Sequence, residues 1–286
     1  MGPGKLRRLI ADPSSPALLR GELWISPEVL SEAGFHRGPQ GLVRLASSIG
    51  ADVCFFHWLE SGTAFDLKEL VEPARLAGLD CGLTIDGPFQ RLAAKRDVMD
   101  ILLELGSDPS GFRRLVAREA EGIAAFLGEV EGSGMELVVI GEDLGYAGGL
   151  YFSPEVFRAC LLPFYEGLVG RLSSRGIALG WHSDGDVAPL LPDLVKCGFR
   201  FFSLEPECVD LLNFKRTHGP RVTLIGGIRT DWLVAEEPDR KQQAQWSGEI
   251  RDLAGEGGLI LASCCGIHNP LFLLHLKRIY KLIDGV

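Results

Sequence analysis

Short apolar runs rich in β-branched and aromatic residues recur along the whole chain, each closed by Gly, Pro or an acidic residue. They predict strands at 22–25, 52–58, 81–85, 137–140, 177–182, 199–204, 221–225 and 259–263. Between them lie longer stretches with apolar residues at helical spacing, such as 111–128 and 153–175. Strand then helix, repeated about eight times without a linker, predicts an α/β chain folded as a (β/α)8 TIM barrel, one domain over 1–286. Ser153-Pro154-Glu155 reads as a helix start, with Ser at the N-cap, Pro in the first turn and an acid beside it. Pro163 inside the same stretch predicts a kink. A doubly wound open sheet is the rival, but no G-x-G-x-x-G follows the first strand.

Composition narrows the function. The net charge of −9 supplies no basic field for phosphate backbones, so nucleic acid is not expected as a partner. No apolar run has signal-peptide or membrane-spanning character, and a soluble, cytoplasmic protein without membrane partners is expected. The seven cysteines are scattered and odd in number, which is not a disulfide framework. Cys54, Cys81 and Cys160 sit in apolar runs as core fillers.

Barrel chemistry collects where strands run out into βα loops, so polar residues at strand ends carry the information. The fifth strand reads Ala-Leu-Gly-Trp-His-Ser-Asp from Ala178 to Asp184. Alternation puts Ala178, Gly180, His182 and Asp184 on one side and Ile177, Leu179 and Trp181 on the other. The small residues face inward, and the imidazole and carboxylate follow them to the mouth, as a pair able to hold a metal or move a proton. Mutual satisfaction and helix capping is the plainer alternative. The fourth strand ends in Glu142 and Asp143; Asp143 is a loop cap or a ligand contact, and the side Glu142 faces stays open. The eighth strand ends in Cys264-Cys265, and alternation lets only one reach the mouth, where a thiol beside His and Asp suits zinc. The stretch 60–79 carries no chemical fingerprint.

Gly141-Glu-Asp-Leu-Gly145, Ser153-Pro-Glu-Val-Phe157, Leu162-Pro-Phe164, His182-Ser-Asp-Gly-Asp186, Leu190-Leu-Pro-Asp-Leu194, Gly226-Gly-Ile228 and Cys265-Gly-Ile267, in that order and spacing, resemble the uroporphyrinogen decarboxylase superfamily. The resemblance implies the same barrel, here with a shortened amino-terminal segment. Its decarboxylases carry an Arg-rich amino-terminal motif, Phe-Phe-Ser-Asp on the second strand and His-Gly-Ile on the last. This chain has Arg20-Gly-Glu-Leu-Trp24, Phe55-Phe-His-Trp58 and Cys265-Gly-Ile267 in those places. Without the Arg cluster and the acid, a polycarboxylate substrate has neither grip nor chemistry, which disfavours decarboxylation.

The superfamily's other branch, the cobalamin-dependent methyltransferases, carries a zinc site written His-x-Cys on the fifth strand and Cys-Gly-Ile on the eighth. The resemblance implies zinc at His182, Asp184 and Cys265, with Asp184 replacing the middle Cys; His182 and Asp184 are expected to be catalytic, and Glu142 joins them as a candidate by position only. Substrate contacts are expected from His57, Trp58, Asp143 and Glu205, and room at the mouth from Gly226 and Gly227. No Asp-x-His-x-x-Gly corrinoid-binding pattern occurs, so the corrinoid is expected on a partner protein. The expected reaction is zinc-assisted methyl transfer between a small methylated substrate and that corrinoid protein. The rivals are a carboxy-lyase working by Asp/His acid–base chemistry, and a degenerate ligand-binding barrel without catalysis.

Overall fold

The computed structural model describes residues 4–58 and 67–283. One sheet contains eight parallel strands: β1 (Leu18–Arg20), β2 (Val53–Trp58), β3 (Asp80–Asp86), β4 (Leu137–Gly141), β5 (Ala178–Ser183), β6 (Phe201–Leu204), β7 (Thr223–Ile228) and β8 (Leu259–Ser263). The spatial order β1-β8-β7-β6-β5-β4-β3-β2 brings the first two strands together at the seam of a nearly closed TIM barrel. Asp52 bridges that seam: its N–H donates to Arg20 O at 2.8 Å, and its carboxylate accepts from Arg20 N–H at 3.0 Å. Among the described helices none is long and apolar enough to cross a membrane.

Alternation sorts the strand residues into two cores. Leu19, Val53, Phe55, Leu137, Val139, Ala178, Phe201, Ile225, Ile260 and Ala262 fill the lumen. Ile177, Leu179, Trp181, Phe202 and Leu224 face outward and pack under the helical jacket. The helix Lys5–Ala11 closes the lumen from below by inserting Leu6 and Leu9, and its Arg7 pairs with Glu136 at 3.1 Å.

The first strand departs from expectation. It is 18–20 and not 22–25, because Leu18 to Arg20 pair in register with Leu259 to Leu261. Past Gly21 the backbone leaves the ladder, and Ile25 bridges Ile267 beyond the end of β8. The seventh strand begins later than expected because residues 219–221 form a 3-10 turn. The stretch 153–175 is two helices, Pro154–Cys160 and Leu162–Ser173, broken at Leu161 just before Pro163. Ser153 holds the N-cap position without a side-chain capping bond.

Candidate functional site

A cavity of about 300 Å³ opens at the carboxyl ends of the strands. His57, Thr84 and Asp86 border it from β2 and β3, Asp143 and His182 from β4 and β5, and Cys265 from beyond β8. Ladder register explains the levels. His57 lies opposite Thr84, Thr84 opposite Val139 and Val139 opposite Gly180, while Gly141, His182 and Ser203 lie one layer above.

Asp143, His182 and Asp184 form the densest chemical group, with one ligand-type atom from each lying within 4.8 Å of the others. His182 Nε2 is 3.8 Å from an oxygen of each carboxylate. On its other side, His182 Nδ1 meets the fully buried Ser203 Oγ at 3.1 Å. Loss of water pushes the Asp184 carboxyl above its usual range; His182 opposes this, while Asp143 and Glu205 add repulsion. Two carboxylates and an imidazole at this spacing are a donor set that zinc accepts, and a cation among them relieves the crowded negative charge.

The loop that carries this group is fixed by backbone contacts. Asp184 N–H donates to Asp143 Oδ1 at 3.2 Å, and Gly185 N–H donates to Glu205 Oε2 at 2.8 Å. Gly185 has a φ of +80° and its missing Cβ would collide with the backbone of Gly145 and Tyr146, so only glycine fits the turn.

Several expected site residues stand elsewhere. Glu142 points away from the lumen: it is fully buried and accepts Tyr165 Oη at 2.7 Å and the N–H groups of Phe89 and Gln90 at 3.3 and 2.9 Å. It shares the parity of Val138 and Ile140, which face the jacket. Trp58 likewise stacks on Phe126 with ring centroids 3.9 Å apart, as core packing and not as a pocket wall. Glu205 binds Gly185 N–H and the Cys208 thiol, which makes it a brace for the loop and not a substrate contact. Gly226 and Gly227 do not border the cavity.

Cys265 borders the cavity, but its sulfur is not part of the tight group; Asp143 takes the place expected for it. Cys264 borders the cavity too, contrary to strict alternation, because the strand stops at Ser263. A hydrogen bond from Cys264 holds the Cys265 thiol down at about 7, while Cys264 itself is pushed up. Sequence reasoning missed Thr84, Asp86 and Ser203. Each has the inward parity of its strand, which was the available signal. The first part of the featureless stretch 60–79, residues 60–66, lies outside the described residues.

Comparison with known proteins places the chain. Residues 84–284 match the family described as Uroporphyrinogen decarboxylase (URO-D). A curated relative, the Methylcobamide:CoM methyltransferase MtaA of Methanosarcina barkeri, is 26% identical over 174 residues, 60% of this chain and 48% of the relative. The chain thus spans about half the length of the curated relatives it matches. A solved methyltransferase from Methanosarcina mazei superposes with a TM-score of 0.74 over 98% of both chains at 16% identity. D-allulose 3-epimerase from Methylomonas sp. shares the barrel more loosely, with a TM-score of 0.57 at 13% identity over 93% of this chain and 97% of the epimerase. With its eight-stranded barrel and a match over most of its length, the chain belongs to the uroporphyrinogen decarboxylase family, and the curated relative it resembles there is a methyltransferase.

Proposed function

We infer that this protein is a methyltransferase that moves a methyl group between a small methylated substrate and a corrinoid protein, with zinc as its metal. The observation that carries the reading is the Asp143–His182–Asp184 group bordering a barrel-mouth cavity, in a chain related to a methylcobamide methyltransferase. Asp143, His182 and Asp184 would hold the metal, which when bound supplies Lewis-acid polarisation of the heteroatom that carries or receives the methyl group.

The remaining work falls to the chain. Ser203 holds the His182 ring so that Nε2 faces the carboxylates, and Glu205 and Gly185 hold the loop that presents Asp184. The cavity of about 300 Å³ suits a small molecule and is too small for a corrin macrocycle, so the corrinoid would approach the mouth from outside on its partner.

The carboxy-lyase reading draws on one observation, the raised Asp184 carboxyl 3.8 Å from His182, a pairing suited to metal-free proton transfer. Metal analysis separates the two. The purified protein is expected to bind one zinc per chain and to demethylate methylcobalamin in the presence of a small thiol. His182→Ala and Asp184→Ala should each weaken zinc binding by at least 100-fold by calorimetric titration. Zinc-free wild-type protein, or variants that titrate like it, would sink the metal-assisted reading.

A further inference from the structure

We propose that Asp86 sets the substrate class of the cavity: it selects a methyl donor whose far end is a cation, such as an ammonium group, and excludes donors that carry a carboxylate, sulfonate or phosphate there. The proposal deepens the methyl-transfer reading and rests on it for the identity of the ligand as a methyl donor.

The fixed charges that border the cavity are all of one sign. Asp86, Asp143 and Asp184 stand in its wall, and among the described residues no Lys or Arg does. Their side chains are 31%, 39% and 50% exposed, so each carboxylate keeps surface open to a ligand besides its contacts with the chain. The arginines nearest to lining residues in the sequence are committed elsewhere. Arg91 lies over the Trp58 ring at 5.3 Å and pairs with Glu119, Arg20 lies over the Tyr280 ring at 5.8 Å, and Arg229 pairs with Asp231. The stretch 59–66, directly after β2, contains Glu60 and Asp66 and no basic residue. An anionic group brought into this cavity sheds water and meets repulsion, with no fixed cation of the chain to offset either.

The two sides of the cavity differ. Asp143 and Asp184 belong to the group around His182, where a divalent cation matches their two charges. Asp86 is the charge left over. It ends β3 opposite Gly141 of β4, which lies opposite His182 of β5, so two ladder steps separate Asp86 from His182. At about 4.8 Å per step, their Cα atoms are roughly 10 Å apart round the wall. His57 stands beside Asp86, its Nε2 3.9 Å from Oδ1, but burial lowers the proton affinity of that ring more than the carboxylate raises it. The Asp86 charge therefore stays uncancelled by its imidazole neighbour.

A Lewis-acid end and an anionic end thus share one cavity of about 300 Å³, with Leu23, Ile85 and Val139 supplying apolar wall. The molecule that matches this pattern has a methyl-bearing heteroatom with a lone pair at one end, an ammonium at the other and a short aliphatic spacer. Its ammonium meets Asp86 in a charge-assisted hydrogen bond while the heteroatom lies toward His182.

Three methyl ethers of one skeleton test this by binding, which needs no turnover. At neutral pH 2-methoxyethylamine is a cation, 2-methoxyethanol is neutral and methoxyacetate is an anion. Ligand-observed NMR titration of the purified protein is expected to rank them in that order, with the amine bound about tenfold or more tighter than the alcohol and methoxyacetate weaker still. Raising the ionic strength should weaken the amine and leave the alcohol unchanged. Asp86→Asn should bring the amine to within about twofold of the alcohol, whose own affinity holds. If the variant loses the alcohol as well, the wild-type ranking and its salt dependence decide. Equal affinities for the amine and methoxyacetate, or a ranking that survives Asp86→Asn, overturn the proposal. Demethylation of the three ethers by cob(I)alamin is scored separately. A charge-ranked set of which none is demethylated would remove the methyl-transfer reading and leave Asp86 as the selector of ligand charge, whereas demethylation without ranking would remove the proposal alone.

Discussion

Ser203 shows how much one buried hydroxyl decides. A cation on His182 Nε2 requires the ring proton on Nδ1, and Ser203 Oγ at 3.1 Å is the acceptor that keeps it there. Ser203→Ala should lower zinc affinity by about 10- to 100-fold in competition with a chromophoric chelator, while circular dichroism stays unchanged. At this scale the sequence was legible in part. His182, Asp184 and Asp143 stand at the ends of β4 and β5, and alternation along β5 led to them. The same rule, phased against lumen residues, separates His57 from Trp58 on β2: His57 follows Val53 and Phe55 into the lumen, and Trp58 follows Cys54 and Phe56 into the jacket. Cys264, Cys265 and Glu205 lie beyond the last paired residues of β8 and β6, where no ladder dictates direction and neighbouring loops decide.

Elements are tied to one another by buried carboxylates. Glu142 sits on the outer side of the β4 end, takes Tyr165 Oη from the helix Leu162–Ser173, and takes two N–H groups from the start of the helix Pro88–Ala93. Helix N-termini present unpaired N–H groups, so the acid joins a strand to two helices at once. Gly87 permits the approach, since a Cβ there would occupy the Glu142 carboxylate. Glu22 does the same near β8, accepting Ser263 N–H and Tyr280 Oη.

Burial pushes Glu142 up to about 8 from an ordinary 4.5. Between those values the folded protein holds a proton that the unfolded chain releases. Its contribution to stability is therefore complete below about pH 4.5 and is lost as pH rises through about 8. Glu142→Gln mimics the protonated acid and should flatten the fall in denaturant-derived stability between pH 5 and 8, a difference on the order of a few kcal/mol. A variant whose stability falls as steeply as the wild type's would contradict this origin. The helical jacket was readable from apolar spacing, as the helix Pro109–Val130 enclosing the expected 111–128 shows. The displaced first strand was not, because only the register against β8 distinguishes Leu18–Arg20 from the equally apolar run after it.

For the whole molecule, the barrel separates stability from chemistry along its axis. Leu6 and Leu9 close the end opposite the cavity, and layers of Val, Leu, Phe and Ile lie between. Leu9→Ala should cost about 2 to 5 kcal/mol in chemical unfolding and leave zinc affinity within twofold of the wild type, since the lost methyl groups are at the far end of the lumen. A large change in affinity would mean that the two ends are coupled. The alternating strand–helix pattern made this architecture legible, because a period-2 run followed by a period-3.6 run, eight times over, has few other compact solutions.

That hydrocarbon plug also imposes a timetable. Among the described residues the lower end is stoppered, so in the methyl transfer proposed above reactant and product would share the portal at the other end, and a bulky macromolecule seated on it would shut that exit. On that proposal the small molecule would have to be aboard before such a guest arrives and would depart only after the guest lifts away, a sequence imposed by two leucines and the helix that carries them.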